Sequence, residues 1–157
     1  MKLLKEAIKL FWLSFACFTI TALTFLWMPF VQEKRAGLVI TGIVFWGTLI
    51  AGCVLIYLAN KKRIQVIYKL NIRSKYASSR IGLFKFFSNI PAIIADSALV
   101  SSLIFALIVA LSKLKETYTP YIVLFLLLFS LSSHCLFNGK VYRFINVKQF
   151  RGDEDHG

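Results

Sequence analysis

Asp96 and His134 are the one carboxylate and the one imidazole that this chain carries inside its apolar stretches. An acid at the centre of a membrane helix costs about 2.5 to 3.5 kcal/mol on insertion scales, so an intramembrane ionisable residue is a functional candidate by default. Histidine changes charge near neutrality, and the pair therefore suits a proton-sensitive or ion-binding element. The simpler alternative is that Asp96 accepts bonds from serine hydroxyls, the histidine or a nearby lysine and fixes helix packing. Asp96 lies six residues past Ile90, about 9 Å along a helix. His134 lies three to four residues before the inner end of its own stretch, about 5 to 6 Å deep. Adjacent antiparallel helices would therefore bring the two to one level, with Ser130 and Asn138 four residues either side of His134 on the same face.

Other chemistry finds no support. A membrane hydrolase needs a nucleophile, an orienting partner and an oxyanion donor, and the chain has no GxSxG, no HExxH and no second buried acid. It has no P-loop or GxGxxG for a nucleotide. Cys17, Cys53 and Cys135 all fall inside apolar stretches and read as small apolar packers. With no CxxC or HxxxH spacing around them, neither a metal site nor any other cofactor is expected. The expectation is a protein that is not an enzyme.

The elements that must position Asp96 and His134 are four apolar spans of 18 to 23 residues, Phe11 to Val31, Gly37 to Ala59, Ile90 to Ser112 and Pro120 to Phe137. About 20 helical residues cross a bilayer core. The fold class is thus an all-α membrane protein of two antiparallel hairpins, a single transmembrane domain over residues 1–157 with a loop at 60–89 and a tail at 138–157. The first span is too long for a signal peptide, and Trp27-Met28-Pro29-Phe30 offers no small-residue cleavage site. Asn89-Ile90-Pro91 starts the third span, and Gly139 is a candidate stop after the fourth.

Charge gives the orientation. The nineteen Lys and Arg residues divide between the spans as three, two, eight, two and four, so fifteen lie on one side. Cytoplasmic loops carry the excess of basic residues, which puts both termini and the 60–89 loop inside a bacterial inner membrane. Lys2, Lys5 and Lys9 ride on a helical lead-in, and Lys113-Leu114-Lys115-Glu116 closes the outer end of the third span. The loop holds Lys61, Lys62, Arg63, Lys69, Arg73, Lys75, Arg80 and Lys85 with no Asp or Glu, and its apolar residues allow two short interfacial helices broken near Ser78-Ser79. Such a surface suits anionic lipid or an acidic cytoplasmic protein partner, and nucleic acid indirectly through that partner.

Two stripes bear on assembly. Ser14, Cys17, Thr21, Thr24 and Met28 give the first span a narrow, weakly polar side. Gly37, Thr41, Thr48 and Gly52 lie close to one face of the second, with Gly47 and Ala51 as a small-xxx-small pair. Small residues let membrane helices approach closely, within one chain or in a homo-oligomer. The main functional expectation is a non-enzymatic scaffold or sensor that engages a soluble partner through its basic inner face. The alternative is a small oligomeric ion channel or transporter, lined by the first stripe and using Asp96. An immunity protein of the same topology is a third reading.

In size, topology and cytoplasmic charge the whole chain resembles the membrane component of two-gene anti-phage defence systems of the Kiwa type. The resemblance implies sensing of infection at the envelope and control of a cytoplasmic, DNA-directed partner. It carries over no individual residue.

Overall fold

The structure, a computed structural model, describes residues 2–69, 85–112 and 118–145. These form α1 (Lys2–Val31), α2 (Arg35–Lys69), α3 (Ile90–Leu111), α4 (Thr119–Phe137) and the short α5 (Lys140–Ile145), with no strand among the described residues. α1 to α4 are each long and apolar enough to cross a membrane.

The first two helices outrun the bilayer. With 30 and 35 residues, they are rods of about 45 and 53 Å against a hydrocarbon core of about 30 Å. The surplus lies at the start of α1 and the end of α2. Residues 60–69, read from sequence as the beginning of a loop of interfacial helices, instead continue α2. The reason is packing: Val66 and Ile67 are buried with Phe144 of α5, and Leu3 and Leu4 close over them. The proposed break near Ser78-Ser79 lies outside the described residues, as do Lys113 to Glu116.

α1 is the central helix. It packs against α2 on one side and α4 on the other, while α3 packs mainly on α4. The spans are therefore laid in the row α2–α1–α4–α3. Paired contacts run in opposite senses along α1 and α2. Ser14 Oγ donates to Gly52 O at 2.8 Å, the Thr21 and Thr48 hydroxyls meet at 2.8 Å, and the Phe25 and Phe45 rings lie 5.6 Å apart. The α2 glycines explain the close approach. A Cβ on Gly52 would sit 3.1 Å from the Phe18 ring, and one on Gly37 would meet Val31 Cβ at 2.8 Å. Gly47 faces open space instead.

At the end that holds the α1–α2 turn, Lys34 N–H donates to Val31 O to close a tight turn, and Tyr121 Oη donates to Gln32 Oε1 at 3.0 Å. At the opposite end, Phe11, Ala59, Leu136 and Val141 form the main apolar cluster, joining α1, α2, α4 and α5. Burying a side chain such as Phe11 contributes about 1.5 to 3 kcal/mol relative to its exposure in water. The packed core thus sits at the basic end.

Candidate functional site

α3 begins and α4 ends at this same level. Asn89 is the N-cap of α3: its side-chain oxygen accepts from Ala92 N–H at 2.9 Å, and Pro91 lies in the first turn, as the sequence led one to expect. α4 stops at Phe137 because Gly139 N–H turns back to Leu136 O at 3.1 Å. Gly139 does not take the left-handed conformation usual at a helix stop. It is small for a different reason, since a Cβ there would lie 2.9 Å from Cys135 O.

Between these two helix ends Asp96 and His134 meet. His134 Nδ1 lies 2.5 Å from Asp96 Oδ1, with the side chains 2% and 0% exposed. At that distance the two groups share one hydrogen bond. Asn138 Nδ2 donates to the same oxygen at 2.8 Å, and Phe87 N–H donates to Oδ2 at 2.5 Å. A buried carboxylate costs several kcal/mol unless it is paired and hydrogen-bonded; here three donors converge on it. Asn138, also fully buried, accepts from Ser88 Oγ at 2.9 Å. The Phe86 ring stacks over His134 with centroids 4.6 Å apart.

The sequence placed Asp96, His134 and Asn138 together by depth and face. Ser130 is buried as well, but its hydroxyl turns to Leu126 O on its own helix at 2.6 Å. No serine hydroxyl among the described residues bonds to Asp96: Ser97 and Ser101 are exposed, and Ser102 donates to Ala98 O. Sequence reasoning missed residues 86–89. Their one signal was the Asn89-Ile90-Pro91 helix start, which says where α3 begins but not what the preceding residues touch.

The basic set divides. Lys61, Lys69 and Lys85 are exposed. Lys62 Nζ lies 2.7 Å from Glu6 Oε2, tying the two projecting helix ends together. Glu6 is outside the apolar span, and its hydrogen bond with Lys62 holds its carboxyl below the usual range. Arg63, grouped with the surface cations from sequence, is 1% exposed and its Nε donates to Asn60 Oδ1 at 3.0 Å. It belongs to the packed basic end. Arg73, Lys75 and Arg80 lie outside the described residues. Lys2, Lys5 and Lys9 add an exposed row on α1.

The weakly polar stripe of α1 is largely used within the chain. Ser14 and Thr21 are fully buried and bonded to α2, and Thr24 donates to Thr21 O. No protein-family profile, curated protein or solved structure matches the chain.

Proposed function

We propose that this chain is a non-enzymatic scaffold or sensor of the bacterial inner membrane that docks an acidic soluble partner on its basic cytoplasmic face. One observation carries the reading. The ends of α1 and α2 project beyond their apolar spans as a joined pair, pinned by Glu6–Lys62 and by the Phe144 cluster, and present Lys2, Lys5, Lys9, Lys61 and Lys69 to solvent. A topology anchor needs only flexible charge near the headgroups. A packed and projecting basic platform is preorganised for a protein, because its helical backbone is already fixed and loses little freedom on docking. The burial of Ser14 and Thr21 against α2 favours this reading over a pore lined by the α1 stripe.

The orientation rests on the fifteen basic residues on one side. A role in antiviral defence, with sensing at the envelope and a DNA-directed partner, rests on the likeness to Kiwa-type membrane components in size, topology and charge.

The test is affinity purification of the tagged chain from mild detergent at low and high salt, with native mass of the complex. A soluble acidic protein, lost at high salt and lost again on reversal of Lys61, Lys69, Arg73, Lys75, Arg80 and Lys85 to Glu, is the expected result. A homo-oligomer with nothing attached at either salt concentration would count against docking and for the channel.

A further inference from the structure

The chain enters α3 through residues 86–89, and these do more than cap a helix. Phe87 N–H is bonded to Asp96, Ser88 Oγ to Asn138, Asn89 Nδ2 to Phe137 O at 2.9 Å, and the Phe86 ring lies on His134. Phe87 takes φ 54, a left-handed conformation that a bulky residue adopts only when its surroundings impose it. Yet the segment buries little. Phe86 is 51% and Phe87 57% exposed, so polar bonds centred on one carboxylate hold it rather than apolar packing. Once released, both rings have a competing site close by, since aromatic side chains partition to the bilayer interface.

We propose that residues 86–89 form a two-position strap, clamped onto α3 and α4 by Asp96 and released when an acidic ligand occupies the basic inner face. The inference rests on the docking reading above and adds its consequence inside the protein. Lys85, exposed, is adjacent to the strap. A ligand that engages Lys85 acts on backbone one residue from Phe86, and it shifts the strap by binding the open position more tightly. Docking is then felt at the Asp96–His134 pair, where α3 joins α4.

The experiment places a nitroxide on Phe86→Cys, which keeps Lys85 and the polar clamp, in a background carrying Cys17→Ala, Cys53→Ala and Cys135→Ala, with the full chain in phosphatidylcholine nanodiscs. Poly-glutamate is the acidic probe, and its binding is followed separately by fluorescence anisotropy of the labelled polymer. Alone, the parent gives an immobile spectrum; bound poly-glutamate adds a mobile component. Phe87→Pro, which removes the clamped N–H and cannot take positive φ, shows that component without ligand. Phe87→Gly keeps the N–H and accepts the left-handed backbone, so it stays immobile until poly-glutamate binds. Both substitutions lie outside α3 and α4, but Phe87→Pro takes a donor from Asp96, so helicity and thermal midpoint are recorded for each variant and spectra are compared only between variants that keep both. An immobile Phe87→Pro overturns the clamp. Poly-glutamate that binds without changing the parent spectrum overturns the release while leaving docking intact. Poly-glutamate that does not bind overturns docking and release together, and the clamp is then judged by Phe87→Pro alone.

Discussion

Asp96 Oδ1 and His134 Nδ1 lie 2.5 Å apart across 38 residues of sequence, in a position that leaves neither side chain more than 2% exposed. The pair joins the start of α3 to the end of α4, and through Phe87 N–H it also holds the chain that leads into α3. Its energetic weight lies in what would be stranded without it.

Replacing Asp96 by Ala removes the acceptor of three donors at once. Leaving a buried donor without its acceptor costs about 1 to 3 kcal/mol, and the thermal midpoint of the purified protein in detergent should fall accordingly. Asp96→Asn keeps an acceptor of the same shape and should cost clearly less. Equal midpoints for wild type and Asp96→Ala would mean that the cluster contributes nothing to the fold.

The α1–α2 seam predicts a contrast between glycines. Gly52→Leu drives a side chain into the Phe18 ring and should destabilise by about 1 to 3 kcal/mol, the usual range for overpacking. Gly42→Leu and Gly47→Leu, where an added Cβ meets nothing, should melt close to wild type within one chain. If Gly47→Leu also lowers the oligomer mass without changing the melt, that face is used between copies.

Orientation is checked with single cysteines. Gln32→Cys, in the turn between α1 and α2, should react with a membrane-impermeant maleimide in intact spheroplasts. Lys61→Cys, on the projecting end of α2, should react only after lysis. The reverse pattern would put the basic platform outside and remove the docking reading.

The Glu6–Lys62 pair sets a pH dependence at the acid end. The Glu6 carboxyl titrates lower in the folded chain than in the unfolded one, because Lys62 donates to it. Its stabilising contribution is therefore present above the ordinary carboxylate range, about pH 4.3, and disappears as pH falls through the lower folded value. The gap in thermal midpoint between wild type and Glu6→Gln should be small at neutral pH, since both partners are solvated. It should close as pH falls below the ordinary carboxylate range and through the lower folded value. A gap that widens on acidification would contradict the pairing.

The two kinds of information in this protein separate cleanly. Span number, span depth and the basic side follow from hydropathy and charge, which act residue by residue along the membrane normal and need no partner to be read. Depth matching alone brought Asp96 and His134 to one level, and helical spacing added Asn138. Lateral order is different. Lipid is as apolar as the side chains, so the apolar run of α3 after Ser102 carries no pattern to say which face is buried, and fit between neighbours decides. Only the tertiary structure set Gly52 against Phe18, turned Ser130 away from the pair, extended α2 to Lys69 under Phe144, and sank Arg63 into the basic end. The same holds for residues 86–89. Ser88 and Asn89 bond to the end of α4, 50 and 48 positions further along, and a left-handed Phe87 is a conformation that local preference opposes and that only the surrounding clamp can hold.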